Sequence, residues 1–197
     1  MAIFDKFQQL AATRRAMAES GIQSINVVMD RVVSATEAVV NGRPLILAGT
    51  NNYLGLTFHP ECIEAACEAT RTLGTGTTGS RVANGSYSTH VQLETELADY
   101  FRRRSVIVFS TGYVANLGML STLAGPGDVF VIDADCHASI YDGCRLSGAE
   151  IIRFRHNDPA DLEKRLRRLG ARAANTIVVV EGIYSMLGDR APLADIA

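Results

Sequence analysis

Four short apolar runs, separated by helix-patterned segments, constrain this chain more than any other feature in it. The runs are Ser105–Phe109, Val129–Ile132, Ile151–Phe154 and Ile177–Val180. Between them stand Val114–Leu123, Ile140–Leu146 and Pro159–Leu169, whose residues suit helices. A strand that is apolar at successive positions has no face for water and must be covered on both sides. Helices alternating with such strands supply that cover, which predicts an α/β fold with a mostly parallel sheet sandwiched by helices.

The chain before residue 105 is less regular. Phe4, Phe7, Leu10 and Ala11 share one helical face that Met17 extends, so Phe4–Ser20 is a predicted helix that stops at Gly21. Val27–Val40 lacks clean helical order. With Asn41-Gly42-Arg43-Pro44 as a turn, it predicts two short strands, the second at Leu45–Ala48. Pro60 opens a helix that runs through Leu73. Gly74–Ser88 is rich in Gly, Ser, Thr and Asn, but it carries Arg81 and Tyr87 and leads straight into a helix at Thr89–Phe101. It is therefore expected to be an ordered loop rather than a linker.

Composition removes several function classes. With 197 residues, 47% hydrophobic and 20% charged, the chain can build a core. A net charge of −2 gives no basic footprint for nucleic acid or an anionic membrane. No apolar run approaches the roughly 20 residues of a membrane span. The first ten residues include Asp5, Lys6 and two glutamines and do not read as a signal peptide. The expected compartment is the cytoplasm. Cys62, Cys67, Cys136 and Cys144 form no CxxC pair, and His59 with Cys62 lacks a second ligand pair, so free thiols and no metal are expected.

In parallel sheets, ligands bind at the carboxyl ends of the strands. Three such ends carry small polar residues. After Phe109 come Ser110-Thr111-Gly112-Tyr113, either a phosphate seat at a helix N-terminus or a plain Ser/Thr-capped turn. After Ile132 come Asp133 to His137, where His137 is either a ring-stacking or acid/base group or a hydrogen-bonded loop histidine. After Val180 comes Glu181-Gly182-Ile183-Tyr184-Ser185-Met186, with Glu181 and Ser185 on the same edge, or else ordinary turn chemistry. His156-Asn157-Asp158 reads as a helix cap. A serine-hydrolase elbow is absent, and the glycine-rich stretch Gly74–Ser80 lacks the lysine of a P-loop.

Taken together, these segments resemble the α-oxoamine synthases, a family of fold-type I pyridoxal phosphate (PLP) enzymes. The matching stretches are Asn51-Asn52-Tyr53-Leu54-Gly55, Gly74–Gly85, His90 with Leu93-Glu94, Phe109–Asn116, Asp135–Gly143, Phe154 with His156-Asn157-Asp158, and Glu181–Leu193. Gly79-Ser80-Arg81-Val82 and Tyr184–Asp189 look most like the bacterial members that condense L-serine with a long-chain acyl thioester (palmitoyl-CoA) to 3-ketodihydrosphingosine. The 8-amino-7-oxononanoate synthases are the nearest rival subgroup. The resemblance implies PLP as cofactor, His137 as catalytic ring-stacker, Gly112 and Tyr113 as phosphate seat, and Ser185 near the cofactor. It also implies a homodimer with shared active sites, in which Asn52, Ser80 and Asn51 contact substrate. Residues 1–58 would form an N-terminal helix/strand arm for dimer and substrate entry, and 59–197 a partial PLP-binding large domain.

The same resemblance exposes a gap. The family's pyridine-binding Asp, the His after it and the Schiff-base Lys come later than Ala197, as does the substrate-carboxylate Arg. The two lysines present, Lys6 and Lys164, lie in segments unsuited to the covalent role. The chain is therefore expected to be truncated before the end of the large domain and inactive alone. A non-catalytic partner of a complete synthase is the alternative.

Overall fold

The computed structural model describes residues 3–20 and 27–197. Its contacts divide the chain into two units, Met1–Gly85 and Ser86–Ala197.

In the first unit, helix α1 spans Gln8–Glu19 and ends with the Ser20 N–H on the carbonyl of Ala16 at 3.0 Å. The expected stop at Gly21 lies outside the described residues. Strands β1 (Arg31–Val32), β2 (Glu37–Val40) and β3 (Arg43–Ile46) form an antiparallel sheet in that order. Asn41 and Gly42 both adopt positive φ, 51° and 72°, the geometry of a two-residue hairpin turn. That tight turn moves Arg43 and Pro44 out of the expected turn and into β3, which ends at Ile46 instead of Ala48. Pro44 is tolerated because β3 is an edge strand with no ladder bond to lose on its free side. Helix α2 (Pro60–Leu73) begins with proline at its first position and ends at Gly74, φ 83°. The loop that follows is closely built: a Cβ on Gly85 would stand 1.8 Å from the Gly79 carbonyl oxygen.

The second unit contains α3 (Ser88–Tyr100), α4 (Gly112–Leu123), β4 (Val129–Asp133), α5 (Ala138–Ser147), β5 (Glu150–Phe154), α6 (Pro159–Leu169), β6 (Thr176–Val179) and α7 (Leu193–Ile196). The sheet is parallel, in the order β5-β4-β6. All five residues of the central β4 are buried, and its side chains alternate between two cores. Phe130 and Ile132 pack with Leu120 of α4 and with Ile140 and Cys144 of α5. Val129 and Val131 pack with Leu162 and Leu169 of α6. This is the two-sided cover that the apolar runs require.

One expected strand does not form. Ser105–Phe109 finds no ladder partner among the described residues, the Val108 N–H is taken by the Glu94 carboxylate at 3.0 Å, and Ile107 stays 72% exposed. An apolar run becomes a strand only where a neighbour accepts its backbone bonds.

Helices α4 and α5 meet at Gly143, where an added Cβ would lie 2.9 Å from the Asn116 carbonyl oxygen and 3.0 Å from Leu120 Cβ. Gly143→Ala should force these helices apart and cost about 1–3 kcal/mol, seen as a lower thermal midpoint. An unchanged midpoint would refute this close packing.

Candidate functional site

The site is built at the carboxyl edge of the parallel sheet, where three connections converge. The first leads into α4. Thr111 caps that helix: its Oγ1 accepts from the Val114 N–H at 3.2 Å, and its carbonyl accepts from Ala115 at 3.0 Å. The N–H groups of Gly112 and Tyr113 precede those bonds and are the helix's outward donors. Nothing stands within 4 Å of where a Gly112 Cβ would be. An open glycine, two free-facing donors and the positive end of a 12-residue helix form an anion cradle. The Tyr113 hydroxyl donates to Asp142 on α5, which also pairs with Arg145 at 2.9 Å. The hydrogen bond to Asp142 raises the Tyr113 pKa, and the same bond lowers that of Asp142.

The second connection carries His137, an exposed residue that caps α5. Its Nδ1 accepts from the Ser139 N–H at 3.2 Å and lies 2.7 Å from Ser139 Oγ. Ser139 Oγ in turn accepts from Asn116 Nδ2 at 2.9 Å. The chain Asn116–Ser139–His137 runs from α4 to α5 and directs the His137 Nδ1 lone pair inward, which puts the ring proton of the neutral form on Nε2. The Glu181 carboxylate accepts from the His137 backbone N–H. Tyr113 and His137 meet edge to face, with centroids 6.5 Å apart.

Beneath that loop lies Asp133, fully buried at the end of β4. Oδ1 accepts from the Asp135 N–H at 2.9 Å and meets His156 Nδ1 at 2.8 Å, while Oδ2 accepts from the Asn157 N–H at 2.9 Å. Burial pushes its pKa up, but these donors outweigh burial and hold the carboxyl below its ordinary value. The Tyr141 hydroxyl donates to the carbonyls of Asp133 and Ala134, both at 3.1 Å. Asp133, Asp135 and His156 bring ligand-type atoms within 4.8 Å of one another. Asp133 and His156 are hydrogen-bonded to each other at 2.8 Å, while Asp135 Oδ2 stands 3.7 Å from His156 Nδ1. Burial raises the thiols of Cys136 to about 12 and Cys144 to about 11, which makes both poor nucleophiles.

The third connection, after β6, forms a turn in which the Gly188 N–H meets the Tyr184 carbonyl at 2.7 Å. Ser185 is exposed on it. Thus Gly112, Tyr113, His137 and Ser185 all lie on loops or helix starts of the second unit. Asn51, Asn52 and Ser80 belong to the first. Asn52 Nδ2 donates to Thr57 Oγ1 at 2.8 Å and to the Ala35 carbonyl at 3.4 Å. Asn51 Oδ1 accepts from the Tyr53 hydroxyl at 3.4 Å, and Ser80 Oγ accepts from the Val82 N–H at 3.3 Å. The sequence reading missed the support of this site: Asn116, Ser139 and Asp133, and the role of His156 beyond a cap. The one available signal was an aspartate closing an otherwise apolar strand.

Residues 43–197 match the family model described as Aminotransferase class I and II. The chain is 58% identical over 197 residues to a serine palmitoyltransferase of Caulobacter vibrioides (strain NA1000 / CB15N), covering 100% of this chain and 49% of the relative. It is 44% identical over 161 residues to an 8-amino-7-oxononanoate synthase of Lysinibacillus sphaericus, covering 82% of this chain and 41% of that protein. A solved serine palmitoyltransferase from S. paucimobilis, with bound PLP-myriocin aldimine, superposes with a TM-score of 0.94 at 49% identity, covering 100% of this chain and 49% of that one. The chain spans about half the length of the curated relatives it matches.

Asp133→Ala should remove the acceptor shared by His156 and two backbone N–H groups and cost about 3–5 kcal/mol near neutral pH. Because the folded carboxyl is held low, its contribution is present above its ordinary value of 3.8 and is lost as pH falls through the depressed folded value. Denaturant titrations at several pH values should therefore show the gap between wild type and variant narrowing in acid. A gap independent of pH would contradict this origin.

Proposed function

The chain belongs to the aminotransferase class I and II family, and on that footing we propose that the protein is a PLP-dependent α-oxoamine synthase of the serine palmitoyltransferase type. It would condense L-serine with a long-chain acyl thioester, palmitoyl-CoA, with loss of CO₂, to give 3-ketodihydrosphingosine. The observation that carries this reading is the anion cradle at Gly112 and Tyr113 beside the braced ring of His137. The greater identity to the serine enzyme than to the oxononanoate synthase, 58% against 44%, favours serine over the rival subgroup.

The residues present fit the phosphate and ring portions of PLP. A doubly charged phosphate suits two backbone donors at a helix start with no side chain in the way. The exposed His137 ring offers a flat face to a pyridine. When bound, PLP supplies the electron sink that makes the Cα–H bond of serine acidic. The chain's own residues do the positioning. Gly112 and Tyr113 hold the phosphate, and Asp142 fixes the Tyr113 hydroxyl. Asn116, Ser139 and Glu181 keep His137 from swinging, so its ring would face the pyridine of the cofactor and help orient the serine carboxylate. Ser185 borders the cofactor from the turn after β6.

Asn51, Asn52 and Ser80 would serve the active site of the partner in a homodimer. Asn52, with its amide committed to Thr57 and Ala35, would act by shaping the 50–57 loop. Residues 1–58 would be the arm for dimerisation and substrate entry, and 59–197 part of the cofactor-binding domain. Lys164 is exposed on α6, whose buried residues belong to the core opposite α4 and α5, so it is not the covalent amine.

The test is the visible absorbance of the full-length protein with PLP, before and after L-serine. A protein-bound band that shifts with serine supports the reading, and no bound PLP sinks it. Gly112→Val should place methyl groups in the phosphate cradle and abolish cofactor retention; normal occupancy would remove the phosphate seat. His137→Ala should weaken PLP binding about threefold to tenfold and slow condensation. Unchanged affinity and kinetics would remove the His137 assignment.

A further inference from the structure

His156 makes two contacts that a neutral imidazole cannot make together. Nδ1 lies 2.8 Å from Asp133 Oδ1, and Nε2 lies 2.9 Å from Asp189 Oδ2. A carboxylate only accepts, so each contact needs a ring N–H, and a neutral ring has one. The imidazolium has two.

The groups that face this ring are mostly acids, and they come from every neighbouring element. Asp133 closes β4, Asp135 lies 3.7 Å away on the loop into α5, and Asp189 comes from the segment after β6. Tyr184 stands edge-on at 4.5 Å, and its buried hydroxyl faces Asp133 and helps to hold that carboxyl low. Arg155, the adjacent cation, is turned to Asp158 at 2.7 Å. Burial disfavours the charged ring, but the hydrogen bonds and charges of Asp133 and Asp189 outweigh it and raise its pKa above 6.5.

The Asp189 end of this contact holds a turn with little else to anchor its tip. The Tyr184 N–H donates to the Asp189 carbonyl at 2.9 Å and the Gly188 N–H to the Tyr184 carbonyl at 2.7 Å, which closes the loop on itself. Met186 and Leu187, at its tip, are 91% and 57% exposed and supply no core contact. Asn157 Nδ2 reinforces the tether, donating to Asp189 Oδ2 at 2.9 Å and to the Arg190 carbonyl at 3.2 Å.

We propose that His156, as an imidazolium, is a positioning residue: it ties the Tyr184–Asp189 turn, and with it Ser185, to the buried end of β4. The buried Tyr184 ring anchors the start of the turn in the core, and the charge on His156, which can be removed, holds its Asp189 end. For its consequence, Ser185 beside a cofactor, the inference rests on the function proposed above; its geometry does not.

The raised folded pKa gives the direction of the pH effect. The clamp's stabilisation is complete below the ordinary imidazole value and is lost as pH rises through the raised folded value. In the full-length protein, the thermal midpoint of wild type should exceed that of His156→Gln at about pH 6, and the difference should vanish as pH rises past the imidazole range. Amide hydrogen exchange in 184–189 should be about tenfold faster in His156→Gln than in wild type at that lower pH, with β4 unchanged. Should His156→Gln fail to fold, Asp189→Asn takes its place. It removes one of the facing charges from a half-exposed position, and the pH at which wild-type-like stability is lost should move down. A pH-independent offset in midpoint, or unchanged exchange in the turn, overturns the clamp. PLP binding is read in the same wild-type samples: its absence would count against the proposed function, while the pH profile still decides the clamp.

Discussion

The carboxyl edge of this sheet depends on one buried negative charge. Asp133 is fully inaccessible, and an isolated carboxylate in such a place would be too costly to keep ionised. It is kept because the chain delivers donors to it from two directions. The loop into α5 gives the Asp135 N–H, and the segment after β5 gives the Asn157 N–H and the His156 ring. Each donor fixes a loop, and the loop into α5 carries the candidate residue His137. The carboxylate is less a reactive group than the point on which the loop into α5 and the segment after β5 are registered, with the turn after β6 joined through His156.

That registration is useful only because the sheet beneath it is rigid. β4 is buried along its whole length, with one core on the α4/α5 side and another on the α6 side. Interiors packed to this degree do not deform gradually. The start of α4 and the loop into α5 are thus held by the same core, and the Asn116–Ser139–His137 chain joins them. The placing of Tyr113 beside His137, ring centroids 6.5 Å apart, follows from helix packing at Gly143 as much as from the polar residues themselves. The fold is that of the fold-type I PLP enzymes, and the cradle lies where parallel sheets bind ligands.

Much of this was legible in the residues. The runs at Val129–Ile132, Ile151–Phe154 and Ile177–Val180 became β4, β5 and β6, with ends moved by a residue, because only a two-sided sheet can bury every position of such a strand. The helices were legible for a related reason: Pro60 and Pro159 open α2 and α6, Gly74 and Gly170 end the same two helices, and Gly148 ends α5. The same rule failed at Ser105–Phe109. Apolar content states that a segment wants a partner, and the described residues supply none. In the β2–β3 hairpin the turn's location was legible, but not that two left-handed residues would suffice to make it.

The sequence by itself determined the alternation of strand and helix and the polar ends of β4 and β6, since these follow from local pattern, while the candidates Gly112, Tyr113, His137 and Ser185 came from the family resemblance that these segments carry. Only the tertiary structure decided which groups brace them. Asp133, Asp189 and His156 are far apart along the chain, and no local rule makes two carboxylates share one imidazole. That arrangement arises when parallel strands bring their carboxyl ends together, and low solvent access then obliges every buried charge there to find a partner.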